Sequence, residues 1–265
     1  MAYLRRFVLM LQFMTTIPIG IHVRAEKEDF AKGLATAPLV GFLLGLLLAA
    51  GNYLFGLLFS PMITAVLTVA LYIVLTGGLH LDGLGDTADG LFSNRPRERI
   101  LEIMKDSRVG SNAVLALIVV LLLDVSILAS LKEHLAIFLI LMPVAGRIAS
   151  LVGAGSSAYA GVSDGPGRWC VEYCGLKEVV QGLALYAVLF AATGMIGLGL
   201  SEEASWLQSA VWIVPLAIIP PVSAFLLTRL LGSKLGGVTG DILGAVCELN
   251  QVVFLLAAYF LSKLF

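Results

Sequence analysis

Charge is what this chain of 265 residues has least of. Only 13% of its residues are Asp, Glu, Lys or Arg, against about a quarter in a soluble domain. Hydrophobic residues make up 59%, more than one packed soluble core explains; long apolar runs explain it better. Cysteine is scarce too. Cys170, Cys174 and Cys247 are the 3 present, and no second pair or nearby His completes a zinc site, so they read as free thiols. The formal net charge of −1 gives no basis for nucleic-acid binding. A cleavable leader is not expected: Thr15, Thr16 and Pro18 interrupt the apolar stretch after Arg5 and Arg6, and no small-residue cleavage site follows. No internal repeat or low-complexity tract is visible.

What the chain has instead is a series of apolar segments. A helix needs about 20 such residues to cross the hydrocarbon core. Candidates are Leu34–Phe59, Met62–Leu81, Asn112–Leu131, Leu135–Val152, Val179–Leu200, Trp206–Leu231 and Ile242–Leu261. Ser60-Pro61 turns the chain between the first two, and Ser201-Glu202-Glu203 separates the fifth from the sixth. Tyr3–Ile17 is apolar but short and is expected to form an interfacial or re-entrant helix. The expected fold is therefore all-α: one polytopic membrane bundle spanning residues 1–265, with about seven transmembrane helices.

Basic residues test this count, because Lys and Arg gather on the cytoplasmic side. With the N-terminus inside, the inner segments hold Arg5, Arg6, Arg24, Lys27, Lys32, Arg95, Arg97, Arg99, Lys105, Arg108, Arg168, Lys177 and Lys234, while Lys132 and Lys263 lie outside. Arg147 and Arg229 fall within spans. The bias predicts an N-in, C-out topology. The inner connections 82–111, 153–178 and 232–241 are the long, polar ones, so function belongs on the cytoplasmic face.

The first of these opens inside the run Thr76-Gly77-Gly78-Leu79-His80-Leu81-Asp82-Gly83-Leu84-Gly85-Asp86-Thr87-Ala88-Asp89-Gly90. Asp82, Asp86 and Asp89 stand at i, i+4 and i+7, one face of a helix. Three adjacent carboxylates repel one another and are costly near lipid. A divalent cation relieves both penalties, and Mg2+ is commonly held by carboxylates together with substrate phosphates. The plainer alternative is that the acids solvate a helix end. His80 could be a base, a donor to phosphate or an interfacial residue.

Next, Lys105, Asp106 and Arg108 return to the interface just before the following span. Arginine's fork suits phosphate oxygens, although inner loops are basic in any case. The third element, Gly236-Gly237-Val238-Thr239-Gly240-Asp241, opens the last span. It reads either as a glycine turn capped by Thr239 or Asp241, or as an anion site at a helix start. Glu248 lies on the same face about 10 Å further along. It is a functional candidate, or a structural partner of Arg147 or Arg229. Asp124 reads as structural, and Trp169, Trp206 and Trp212 as interfacial anchors. Together the three elements suit metal-assisted phosphoryl transfer.

The run from Gly77 to Gly90 resembles the cobalamin synthase family, the adenosylcobinamide-GDP ribazoletransferases. So do Arg99 through Met104, Lys105-Asp106-Ser107-Arg108-Val109-Gly110, Gly236 through Asp241, and Phe13-Met14-Thr15-Thr16-Ile17-Pro18. Length and hydropathy match over essentially the whole chain. The resemblance implies transfer from adenosylcobinamide-GDP to α-ribazole or its 5′-phosphate, with release of GMP. It also implies a Mg2+ requirement and a place in the bacterial inner membrane, with its lipid bilayer, or the archaeal equivalent. Carried over residue by residue, Asp82, Asp86 and Asp89 would bind metal and diphosphate. Asp82, Asp86 or His80 would be catalytic, and Lys105, Asp106, Arg108, Asp241 and Arg99 would hold phosphate and substrate. The loop Gly161–Gly167 departs from the family's Gly-rich segment, and Asn250 and Gln251 follow Glu248 where a further acid is expected. A homo-oligomer is compatible with the sequence. Two other classes compete. CDP-alcohol phosphotransferases carry a D-G-x-x-A-R signature that is absent here, and transporters often show repeats that are not visible.

Overall fold

The computed structural model describes residues 2–131, 133–199 and 206–264. Lys132 and the Ser201-Glu202-Glu203 turn lie outside the described residues, as do the side chains of Trp206 and Trp212. The described residues form twelve helices: α1 (Ala2–Met14), α2 (Lys27–Leu34), α3 (Ala37–Gly56), α4 (Pro61–Thr76), α5 (Leu79–Phe92), α6 (Arg97–Ile103), α7 (Ser111–Ser130), α8 (Leu135–Ser156), α9 (Pro166–Glu172), α10 (Leu176–Gly199), α11 (Trp206–Gly232) and α12 (Gly240–Leu264). Helices α3, α7, α8, α10, α11 and α12 are long and apolar enough to cross a membrane. A seventh crossing arises if α4 and α5, bent by 93°, count as one broken span. This is the expected all-α membrane bundle.

The centre belongs to α8 and α12. Val144, Ala145, Ile148 and Leu151 of α8 are fully buried, as are Ala245, Val246 and Phe254 of α12. The surrounding helices expose large apolar side chains, including Leu115, Val119 and Leu122 on α7 and Ile218, Val222 and Leu226 on α11. Such stripes belong against lipid. Helix α3 reaches the centre through Gly41 and Gly45, one turn apart. A Cβ on Gly41 would lie 2.5 Å from the Pro143 carbonyl oxygen, and one on Gly45 would strike the backbone of Ile140. Small residues at four-residue spacing let membrane helices pack backbone to backbone, where dispersion replaces the hydrophobic effect as the source of affinity.

One expected span runs differently. Met62–Leu81 does not continue as helix to Leu81, because α4 stops at Thr76 and Gly77 and Gly78 take φ of 61° and 71°. Those left-handed values suit glycine and end a helix. At 1.5 Å per residue α4 is about 24 Å long, less than the roughly 30 Å hydrocarbon core. His80 and the acids therefore lie on a separate helix that leaves α4 at nearly a right angle.

Helix α1, at 13 residues, is too short to span. Its Met10 and Met14 are buried while Tyr3 and Leu4 are exposed, which fits the expected interfacial helix. Arg5 Nη2 donates to both oxygens of Asp29 on α2 at 2.8 Å. Thr16, just past α1, donates its amide to the Leu75 carbonyl at 2.8 Å and its hydroxyl to that of Val74 at 2.7 Å, which ties the segment to the end of α4. A second tie joins α2 to α9. Lys27 Nζ and Trp169 Nε1 each donate to Asp164, at 2.7 and 2.6 Å, and Phe30 packs on the Trp169 ring. Trp169 thus fastens two helices and is not merely an interfacial anchor. Cys170, Cys174 and Cys247 are free thiols, as expected.

Two outcomes follow. Gly41→Leu should destabilise the bundle by roughly 1–3 kcal/mol, the usual cost of overpacking, read as a fall in thermal midpoint in detergent. Asp29 offers a pH signature. Burial raises its carboxyl, but the Glu26 amide and the Arg5 and Arg6 guanidinium groups outweigh that and hold it below its ordinary value. A depressed carboxyl stabilises the fold above the unfolded value of about 3.9 and ceases to do so as pH falls through the lower folded value. The difference in thermal midpoint between the wild type and Asp29→Asn should therefore be present at pH 7 and vanish as the solution is acidified below about pH 4.

Candidate active site

The site is built where α5 lies against the start of α12. On α5 the apolar face buries Leu81, Leu84 and Ala88, while Asp82 is exposed and Asp86 and Asp89 are half-buried. The three acids share a face, as their spacing predicts. Two glycines set how closely the helices approach. A Cβ on Gly83 would lie 2.8 Å from the Asp241 carbonyl oxygen, and one on Gly244 would lie 3.2 Å from that of His80. Thr239 Oγ1 accepts the Ile242 amide at 3.2 Å, so Thr239, rather than Asp241, caps α12. Asp241 then takes a hydroxyl bond from Thr239 at 3.3 Å, and its carboxylate faces the charge of Asp82 on α5. Asp82, Asp241 and Asp89 all lie close enough to Asp86 to repel its charge, and Lys105 acts on Asp241 with the opposite sign.

Two cavities meet at this point. One, of about 280 Å3, is bounded by Lys105, Tyr159, Arg168, Thr239 and Asp241. The other, of about 230 Å3, is bounded by Phe13, His80, Asp82, Ser150, Cys170 and Asp241. Pro166, Gly167, Gly240 and Asp241 belong to both. Among the described residues no hydrogen bond occupies the carboxylates of Asp82 or Asp86. Asp82, Asp86 and Asp241 offer hard oxygen atoms, a chemistry that suits Mg2+ rather than a soft metal, although their ligand atoms do not all lie within 4.8 Å of one another.

Other sequence candidates are placed differently. Asp89 accepts the Gly110 amide at 2.6 Å on one oxygen and the Ala113 amide at 2.9 Å on the other. It satisfies the unpaired donors at the start of α7, a role typical of helix N-termini. Asp106 and Arg108 pair with each other; Arg108 Nη2 donates at 2.6 Å and its side chain is 87% exposed. Hydrogen bonds from the Arg108 side chain and amide push the Asp106 carboxyl down to about 2. Arg99 pairs with Glu102 on the exposed side of α6. None of these three lines either cavity. Lys105, by contrast, lines the larger one.

The structure also adds residues that sequence reasoning passed over. Gly161, Ser163, Gly165 and Arg168 line the larger cavity, although the loop was set aside for its loose match. Its neighbours pair with the third element: the Ala160 amide donates to Val238 and the Val238 amide to Ala158, both at 2.9 Å. Arg97, read as a loop base, donates to the carbonyls of Leu235 at 2.8 Å and Ala160 at 3.0 Å. It ties α6 to both strips of loop. Charge beside a loop with several glycines was the available signal, and positive-inside bias masked it.

Deeper in the bundle Glu248 is fully engaged. Tyr72 donates its hydroxyl to Glu248 at 2.6 Å, Gln251 Nε2 donates to the other oxygen at 3.0 Å, and Arg147 Nη1 donates to Tyr72 at 3.1 Å. Arg229 instead sits over its own helix's Phe225 ring. Glu248 therefore belongs to a structural network with Arg147 through Tyr72. His80, Cys247 and Glu248 bring ligand atoms within 4.8 Å of one another. Arg147 Nη1 lies 3.7 Å from the Cys247 sulfur, so a guanidinium already supplies positive charge there. Asp124 is buried inside the bundle.

The family description Cobalamin-5-phosphate synthase matches residues 6–259. The chain is 46% identical to the adenosylcobinamide-GDP ribazoletransferase of Acetivibrio thermocellus, over 98% of this chain and 99% of that protein. It is 47% identical to the protein of the same name from Clostridium acetobutylicum, over 98% and 97%. The Caldanaerobacter subterraneus protein of that name is 36% identical over the full length of both. No solved structure matches. A membrane helix bundle that gathers its acids, a lysine and two glycine-bordered cavities at one place is, on these matches, a transferase that belongs to the cobalamin-5-phosphate synthase family.

Proposed function

We propose that the protein transfers the adenosylcobinamide phosphate group of adenosylcobinamide-GDP to a hydroxyl of α-ribazole or α-ribazole 5′-phosphate, releasing GMP, with Mg2+ and on the cytoplasmic face of the membrane. The names of the relatives support the two substrates. The observation that carries the chemistry is the convergence of Asp82 from α5 with Asp241 from α12, beside Lys105, where two cavities meet; Asp86 lines neither cavity but lies close enough to both acids for their charges to act on it. The distribution of Lys and Arg supports the side of the membrane.

In this reading the acceptor hydroxyl oxygen forms a new bond to the corrinoid-linked phosphorus. The bond between that phosphorus and the bridging oxygen breaks, and GMP leaves with the oxygen. His80, which lines the same cavity as Asp82, takes the hydroxyl proton, a role suited to a neutral imidazole. Lys105 pairs with diphosphate oxygens as a point charge. Asp82, Asp86 and Asp241 would hold Mg2+, which when bound would neutralise charge that grows on the leaving phosphate. Asp89 holds the start of α7 and so keeps the acid face in register.

Three measurements test this. Asp82→Asn should lower GMP release by about 100- to 1,000-fold, the cost of losing one group that stabilises developing charge, and chelation of Mg2+ should stop it. Full turnover in either case overturns the metal role. Asp89→Ala should lower the thermal midpoint, through roughly 1–3 kcal/mol of lost hydrogen bonding, with turnover kept within a few-fold; a loss as deep as that of Asp82→Asn would return Asp89 to the metal set. His80→Asn should lower kcat by about 100-fold or more and leave both KM values nearly unchanged. A change in KM alone would remove the proton role.

A further inference from the structure

We infer that the two cavities divide the substrates. The smaller takes the acceptor, an aromatic base on ribose, and the larger takes the guanosine diphosphate part of the donor. This rests on the reaction proposed above and assigns its partners to walls.

The two cavities differ in chemistry although they share an edge. The smaller is walled by apolar side chains from five elements: Phe13 and Met14 at the end of α1, Leu34 on α2, Leu79 on α5, Cys170 on α9 and Leu243 on α12. Its polar groups are confined to one part: His80, Asp82, Ser150 and the shared Asp241. A flat, uncharged base needs such walls, and its ribose needs polar atoms on one side only. Ser150 Oγ already donates to the Leu243 carbonyl at 3.2 Å and keeps its lone pairs for a sugar hydroxyl. Among the described residues His80 Nδ1 is buried with no hydrogen-bond partner, and a buried polar atom left unpaired is costly unless function uses it.

The larger cavity has apolar walls too, Leu101, Met104 and Tyr159, but it carries cations that the smaller one lacks. Lys105 supplies one cation and Arg168 a second, whose Nε also donates to Glu172 at 2.8 Å; Gly161 and Gly165 of the loop and Gly167 at the start of α9 border the cavity with backbone. Lys105 makes no ion pair among the described residues. Backbone amides and cations together are the usual cradle for a diphosphate. Helix α2 and the Lys27–Asp164–Trp169 tie hold the wall between loop and α9. The partition is thin. A Cβ on Gly167 would lie 2.8 Å from the Gly240 Cα, so only backbone separates the two spaces there. Asp241 borders both, which places a carboxylate, and any metal on it, where an acceptor hydroxyl from one side would meet a phosphorus from the other.

The test is a separation of steady-state constants in the full-length protein in detergent or vesicles. Cys170→Phe fills the smaller cavity and should raise KM for α-ribazole at least 10-fold, with KM for adenosylcobinamide-GDP within 2-fold of wild type. Arg168→Ala should do the reverse. Leu34→Ala enlarges the smaller cavity and carries the test if Cys170→Phe fails to fold. It should increase the relative kcat/KM for a riboside with a bulkier fused-ring base at least 5-fold over α-ribazole. Effects of Cys170→Phe that fall on the donor, or an unchanged base preference in Leu34→Ala, overturn the division while leaving the reaction standing. A wild-type protein that releases no GMP from this substrate pair overturns the reaction itself, and the division with it.

Discussion

The contact between α5 and the first turn of α12 governs the rest of the molecule. Gly83 rests on the backbone of Asp241, and Gly244 on that of His80. With any side chain at these positions the helices would stand further apart, and the charge of Asp241 would act less on Asp82 and Asp86. That spacing decides whether the acids form one donor set or two unrelated patches. It also fixes the wall that the two cavities share. The supports around it are backbone-directed. Asp89 holds the amides of α7, Lys234 donates to the Leu91 carbonyl at the end of α5 at 3.0 Å, and Arg97 clamps the two loops.

A second constraint lies below the site. Arg147 is fully buried, and a charge taken out of water must be matched by partners. Tyr72, Glu248 and Gln251 supply the network, drawn from α4 and α12. Three helices that carry or precede the catalytic elements are thereby locked at mid-depth. The lock sits four residues before Thr76, where α4 ends, so it fixes the point from which α5 departs.

Much of this was legible in the sequence. Apolar run length and the bias of Lys and Arg suffice for the bundle, because hydrocarbon thickness imposes both. The i, i+4, i+7 spacing suffices for the acid face. What was not legible depends on neighbours distant in sequence. Asp89 looks like Asp82 and Asp86 until the amides of Gly110 and Ala113 reach it. Asp106 and Arg108 resemble a substrate clamp, yet at a separation of two residues they satisfy each other. The loop 161–167 carries no distinctive pattern of its own and acquires its place from pairing with Val238. Met62–Leu81 read as one span because hydropathy does not register the two left-handed glycines that stop it. The Gly41–Gly45 pair was readable as a small-residue motif and was passed over within a long apolar run.

The right-angle turn at Gly77–Gly78 has a consequence for how the protein is made. An aspartate at the centre of a membrane helix raises the cost of insertion by about 2.5–3.5 kcal/mol. Had α4 run on straight, its own continuation would have carried Asp82 and Asp86 along the same axis, and a small shift in depth would have drawn them into hydrocarbon. Because the chain turns, α3 and α4 can enter the bilayer as an apolar hairpin closed by Ser60-Pro61, while the acids remain at its margin. Asp241, which begins α12, joins the acids of α5 from a helix far later in the chain.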